Sequence, residues 1–219
     1  MEIVEFWTYC SANGIILEAE QREQIKRYES EMRYWNKQVN LISRKDEDNF
    51  LEKHVFHSLS IMKYIEIPSK SVCLDIGTGG GLPGIPLAIA NPTIKMLLMD
   101  SIAKKLTITR LFAQHTGIKG LRAETGRVED LAKNKEHIGK YDFIFARAVT
   151  GLVHLCDWSF PLLKKTGKMV FLKGGTLMNE KKNALEKYPN LEIEEHLIKF
   201  KGYDNFEKEE KKVLICSFK

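Results

Sequence analysis

The sequence predicts an α/β fold: a mostly parallel sheet with helices on both faces, closed by a C-terminal antiparallel hairpin and preceded by a helical extension. Three observations lead there. The apolar pattern of residues 1–70 is helical, and at Ser71 it changes to short apolar runs alternating with helical stretches, as a sheet with crossover helices requires. The first of these runs, Val72–Ile76, opens directly onto five glycines within the eight residues Gly77–Gly84. The last two apolar runs have only a loop between them, and strands without a crossover helix pair antiparallel.

Each element has its own signal. Ile3, Phe6, Trp7 and Cys10 fit a short helix stopped by Asn13-Gly14. From Glu18 to about Ser43, Ile25, Tyr28, Met32, Trp35, Val39 and Ile42 recur in steps of three and four, predicting one long amphipathic helix. Phe50, Val55, Leu59, Met62 and Ile65 mark a third helix, closed by Ile67-Pro68. Strands are then expected at Val72–Ile76, Ile94–Met99, Leu121–Thr125, Tyr141–Ala146 and Met169–Leu172. Helices are expected at Pro83–Ala90, Ala103–His115, near Asp130 and at Gly151–Leu163. The terminal hairpin falls near Ile193–Phe200 and Val213–Phe218.

A chain of 219 residues suits one catalytic core with an extension, and 43% hydrophobic with 29% charged residues is an ordinary globular composition. No apolar run is long enough to span a membrane, and the acidic, aromatic start lacks the basic region of a signal peptide, so a cytoplasmic location is expected. Four widely spaced cysteines and the pair His54 and His57 complete no coordination shell, so no metal is expected. Residues 1–70 carry 10 Lys and Arg against 12 Asp and Glu, whereas residues 71–219 carry 24 against 17. That excess suits a phosphate-rich partner, and equally an ordinary lysine-coated surface.

The glycine run admits two cofactors. Gly79, Gly81 and Gly84 satisfy the G-x-G-x-x-G spacing that seats a dinucleotide pyrophosphate on a helix N-terminus. Read from Asp75 it is Asp-x-Gly-x-Gly-x-Gly, which resembles the first motif of Rossmann-like methyltransferases that bind S-adenosyl-L-methionine. An acid there suits a ligand with an ammonium and a sulfonium and repels a pyrophosphate. A helix beginning at Pro83 would aim its unpaired N–H groups at the same ligand. In open α/β sheets the ligand lies across the carboxyl ends of the strands. Asp100 ends the second strand, where a carboxylate can accept from ribose hydroxyls or cap the helix that follows. Arg127-Val128-Glu129 follows the third strand, Arg147 ends the fourth and Lys173 the fifth. The fourth strand end carries neither an Asn/Asp-Pro-Pro-Tyr stretch nor a Pro-Cys, which favours an acceptor that needs no base and no covalent help, such as guanine N7.

These residues resemble the ribosomal small-subunit methyltransferase G, or GidB, family. The resemblance runs through Trp35-Asn36-Lys37 with Asn40-Leu41, His54 with Ser58-Leu59, Gly-Leu-Pro-Gly-Ile-Pro within Leu74–Leu87, Leu98-Met99-Asp100-Ser101, Arg127-Val128-Glu129, Ala146-Arg147-Ala148 and Leu172-Lys173-Gly174. It implies a Rossmann-like S-adenosyl-L-methionine-binding domain over 71–219 behind the helical extension 1–70, and methyl transfer to N7 of a guanine in the decoding-region loop of 16S rRNA. The small ribosomal subunit would be the partner, with a monomer favoured. Cofactor contacts implied by the resemblance fall on Gly77, Leu82, Val128, Glu129 and Arg147; the glycine run adds Gly79 and the strand-end reading Asp100. Arg147 and Lys173 are the expected catalytic residues, and Lys37 and Arg127 are expected to hold RNA. Two positions depart from the family: His57 replaces a usual Asp, and Gly80 stands where proline or alanine is common, an exchange expected to be harmless in a turn.

Overall fold

A computed structural model describes all 219 residues. The chain begins with helices α1 (Ile3–Ala12) and α2 (Ala19–Asn36). A continuous helical stretch follows, 3₁₀ at Arg44–Asn49, π at Leu51–Phe56, and then α3 (His57–Leu59) and α4 (Ile61–Tyr64). The sheet region runs β1 (Val72–Ile76), α5 (Gly84–Ala90), β2 (Lys95–Asp100), α6 (Ala103–His115), β3 (Leu121–Thr125), α7 (Val128–Leu131), β4 (Tyr141–Arg147) and α8 (Leu152–Ser159). After a 3₁₀ turn at Phe160–Leu162 come β5 (Leu163–Gly174), α9 (Met178–Lys187), β6 (Leu191–Leu197), α10 (Asn205–Lys208) and β7 (Lys211–Phe218). The seven strands lie in the order β3-β2-β1-β4-β5-β7-β6. The first five are parallel, and β7 pairs antiparallel with both β5 and β6. The expected sheet and terminal hairpin are therefore present.

The differences have local causes. α2 stops at Asn36, short of the expected Ser43, because the buried Asn36 Oδ1 accepts from the backbone amides of Leu41 (2.9 Å) and Ile42 (3.0 Å) and folds the chain back. Val39 and Ile42 keep the helical spacing yet are buried from a loop. β5 is longer than its apolar centre, since its first residues are lysine-rich and exposed. α9 went unforeseen because a single residue of it, Ala184, is buried, leaving little apolar stripe to read. α10 interrupts the expected hairpin loop.

The helical extension shares one core with the sheet. A cluster of 41 buried residues joins Phe6, Ile25, Met32 and Phe56 to Leu98, Phe112, Phe145 and Val213 on one face, and a second cluster of 19 fills the other. Phe56 contacts Phe6, Tyr9, Phe200, Tyr203 and Phe206, tying the extension to the C-terminal segment. Gln21 and Gln24 reach carbonyls at the ends of α5 and α6. Asn36→Ala would strand two buried amides, and should lower unfolding free energy by about 2 kcal/mol or more, read from urea midpoints.

Candidate functional site

At the carboxyl ends of β1 to β4 lies a cavity of about 580 Å³, within the usual range for small-molecule and cofactor sites. Its floor is the glycine loop. Gly77 has φ +65°, and a Cβ there would meet Val149 at 2.6 Å, so both backbone and space require glycine. The loop is fixed from all sides. The Gly79 amide donates to Asp100 Oδ2 (2.9 Å), the Gly79 carbonyl accepts from Thr109 of α6 (2.6 Å), and the Gly80 carbonyl accepts from the buried Tyr28 hydroxyl of α2 (2.7 Å).

Asp75 holds the loop from below. Its side chain is fully buried; Oδ2 accepts from Thr78 Oγ1 (2.6 Å) and the Gly84 amide (2.9 Å), and Oδ1 has no partner. Burial pushes its pKa up to about 7. It does not line the cavity, so the expectation that it faces the ligand's cationic groups is corrected: the carboxylate shapes the loop instead. The helix N-terminus is corrected with it. The Gly84 and Ile85 amides are taken by Asp75 and by the Gly81 carbonyl, so neither is free for a pyrophosphate.

The other expected residues are placed as follows. Gly77, Gly79, Leu82, Asp100, Arg127, Val128, Glu129 and Arg147 all line the cavity. Asp100 Oδ1 also accepts from the Ile102 amide (2.9 Å) ahead of α6, so it both lines the cavity and steadies the helix entrance. Each of its oxygens retains a lone pair for a hydroxyl. Lys37 is exposed at the end of α2 and lines neither this cavity nor the next. Position 80 is not a free turn: a Cβ there would meet Met32 Cε at 2.7 Å and Leu41 Cβ at 3.3 Å, so glycine accommodates the extension above it.

Sequence reasoning missed the roof. Leu41, Ile42 and Ser43, from the loop that Asn36 folds, cover the cavity together with Asp46 and His54, while Trp158 of α8 forms a side wall. Without the Asn36 turn these residues read as part of a helix; the Asn-x-x-x-x-Leu spacing of Asn36 and Leu41 was the one visible signal.

A second cavity of about 320 Å³ adjoins the first above the ends of β4 and β5 and the start of β7, sharing Asp46, His54, Arg147 and Ala148 with it. Lys173 and His57 line this one. The half-buried Arg147 donates to the carbonyls of Lys53 and His54 (both 3.3 Å) and to His54 Nδ1. Burial lowers its pKa to about 10, so it stays cationic near neutrality. Ala148 takes φ +53°, turning the chain sharply out of β4. Burial, and then the charge of Arg147, depress His54 to about 3, and burial likewise lowers His57. Lys173 Nζ donates to the Thr150 carbonyl (2.6 Å) and to Glu180 (2.8 Å). No three His, Cys, Asp or Glu side chains are grouped to hold a metal, and no helix is long and apolar enough to cross a membrane.

The model of the rRNA small subunit methyltransferase G (GidB) family matches residues 21–209. A ribosomal RNA small subunit methyltransferase G from Chlorobium phaeobacteroides is 40% identical over 183 residues, 84% of this chain and 80% of the relative. Another, from Flavobacterium psychrophilum, is 37% identical over 190 residues, 84% and 86% of the two chains. Among solved structures, TrmN from Thermus thermophilus has a TM-score of 0.59 at 19% identity, covering 75% of this chain and 49% of that one, so the chain spans about half its length. The B. subtilis M1A22 tRNA methyltransferase TrmK has a TM-score of 0.55 at 14% identity, covering 74% and 65%. At such identities these two likenesses show the fold alone.

The raised pKa of Asp75 fixes the sign of a pH effect. The folded protein binds this proton more tightly than the unfolded chain, whose carboxyl titrates near its ordinary value of about 4. The Asp75 contribution therefore makes stability fall as pH rises from about 4 to about 7, then level off. Asp75→Asn should remove that part of the slope; urea midpoints of both proteins across this range should show the native chain losing ground to the variant as pH rises.

Proposed function

The chain belongs to the rRNA small subunit methyltransferase G family, and we propose that it transfers a methyl group from S-adenosyl-L-methionine to N7 of a guanine in the decoding-region loop of 16S rRNA. One observation carries this reading: two adjoining cavities share a wall on which no strong base stands unpaired. On that wall Arg147 is a cation aimed at carbonyls, His54 is too weak a base near neutrality, and Asp46 is paired with Lys53 at 3.1 Å. The atom best suited to attack at that wall is then one that need not lose a proton there, and guanine N7 carries its lone pair free.

The larger cavity fits S-adenosyl-L-methionine: a loop only glycine can form, a strand-end carboxylate for ribose hydroxyls, and apolar walls at Leu82, Met99 and Val128. Gly77, Gly79, Leu82, Asp100, Val128, Glu129 and Arg147 would hold it, and it supplies an electrophilic methyl on a sulfonium. The chain's part is to place and to dehydrate. Arg147 and Lys173, both fastened by carbonyls, orient the guanine at the shared wall, and the Leu41–Ser43 roof keeps water from the larger cavity. Correct placement alone supplies up to about 7–11 kcal/mol of barrier reduction. Lys37 and Arg127, exposed and without an acidic partner, hold RNA phosphates of the small subunit. This reading includes a cytoplasmic, monomeric protein.

Two other classes of protein are separated by the same experiments. A dehydrogenase would bind NADH in place of S-adenosyl-L-methionine, and an assembly factor would bind small subunits without modifying them. Labelled methyl groups should enter small subunits that lack the modification, at a single guanine found by mapping. Arg147→Lys, which keeps the charge and loses the forked donor, should slow transfer by about 100-fold. Asp100→Ala should weaken S-adenosyl-L-methionine binding by about tenfold or more in calorimetry. Arg127→Ala should reduce the salt dependence of subunit binding by about one counterion.

A further inference from the structure

We propose that Glu209 reads the donor edge of the acceptor guanine and stabilises the charge that methylation places on it. This rests on the methyltransferase reading above and concerns the smaller cavity alone.

A guanine is asymmetric. N7 and O6 accept on one edge, while N1–H and the 2-amino group donate on the other. If N7 faces the wall shared with the larger cavity, the donor edge faces away from it, toward the residues that line only the smaller cavity. Those residues include Lys53, His57, Lys173, Phe206, Glu209 and Lys211. The donor edge needs an acceptor, and three of these residues are cations, so Glu209 is the one carboxylate available there. The cavity's other carboxylate, Asp46, lies on the shared wall and is already bound to Lys53.

Glu209 is not similarly committed. It caps α10 immediately before β7, and its nearest cation, Lys211, is 3.4 Å away with both side chains partly exposed. A carboxylate with one long contact has lone pairs to spare. Lys211 in turn lies beside Gly174 across the β5–β7 pairing, so the strand register sets where the Glu209–Lys211 pair stands relative to Lys173. A second observation marks this cavity as built for a polar guest. His57, 7% exposed and packed against Phe206 at 5.3 Å, leaves its Nε2 without a partner, and so does His54. Unpartnered buried nitrogens are costly, and two around one small cavity are unlike ordinary packing.

The chemistry gives Glu209 more than a docking role. As the N7–CH₃ bond forms, the S–CH₃ bond breaks and its electron pair stays on sulfur, so the purine becomes a cation while no proton leaves. The N1–H then becomes a stronger donor. A carboxylate accepting from it interacts more strongly with the transition state than with the bound base, which is the condition for raising kcat. An adenine would present its amino group to the shared wall and no N1–H to Glu209, so the same residue discriminates against it.

The test is a cycle between protein and base. Small subunits are assembled on synthetic rRNA with guanine, or with inosine, which lacks the 2-amino group, at the methylated position. With guanine, Glu209→Ala should lower kcat/KM by about 10- to 100-fold, mostly in kcat, while S-adenosyl-L-methionine affinity in calorimetry stays within twofold. Inosine should cost the native protein about tenfold and cost Glu209→Ala much less, because the partner of the missing group is already gone. Equal inosine penalties in both proteins, or a Glu209→Ala rate within twofold of native on guanine, would overturn the assignment. A native protein that methylates neither substrate would remove the methyltransferase reading itself, an outcome distinct from these.

Discussion

The carboxylate of Asp75, sealed beneath the glycine loop, is the constraint on which the rest of this structure depends. Thr78 and Gly84 both donate to one of its oxygens, and this ties the start of the loop to the start of α5. A Cβ at Gly84 would come within 2.8 Å of that same oxygen and 2.3 Å of Leu98, so the close approach needs a residue with no side chain. With the loop held in this form, the Gly79 amide meets Asp100, and the Gly79 and Gly80 carbonyls turn outward to Thr109 and Tyr28. A buried acid is a poor source of stability in itself. What it secures is a loop of one shape, against which two helices and the helical extension register.

The extension is therefore part of the site. Tyr28 stands edge-on to Phe50 and Phe112 and ends on the Gly80 carbonyl, linking α2, the 44–64 stretch, α6 and the loop in one contact set. Asn36 then turns the chain so that Leu41 to Ser43 lie over the cavity that the sheet alone would leave open. A chain that lost its first 70 residues would lose a wall of both cavities and 16 of the 41 residues of the larger core. That explains why a family defined by its chemistry carries matched residues well upstream of the glycine loop, from position 21 onward.

Much of this was legible from residues. The strands announced themselves because parallel, doubly covered strands are continuous apolar runs, as in Phe143–Ala146. The strand ends carrying Asp100, Arg147 and Lys173 followed from topology. What was hidden depended on tertiary contacts. Asn36 looks like an ordinary helix residue until its side chain is seen to bind amides five and six residues ahead, and Asp75 looks like a ligand contact until burial shows it spent on its own loop. Periodicity carried Val39 and Ile42 into a helix for the same reason: burial, not helix, is what periodicity reports.

The placement of Arg147 shows how the fold resolves a conflict of charge. A guanidinium at the end of β4 stands beside the cavity proposed for a sulfonium, and two cations there repel. No carboxylate is hydrogen-bonded to it. Its donors go instead to the carbonyls of Lys53 and His54 and to the neutral imidazole of His54. Those carbonyls belong to the π-helical turn Leu51–Phe56, where wider spacing departs from the usual i to i−4 ladder, and π turns of this kind are frequent at functional sites. Holding Arg147 by dipoles fixes its plane without cancelling its charge, as an ion pair would. The cation stays available to an electron-rich atom such as O6 of a guanine, which leaves the N7 lone pair free to attack, and the depressed pKa of His54 keeps the imidazole neutral so that it can accept from Arg147. The π turn, the buried histidine and the strand-end arginine are thus joined by hydrogen bonds into one unit.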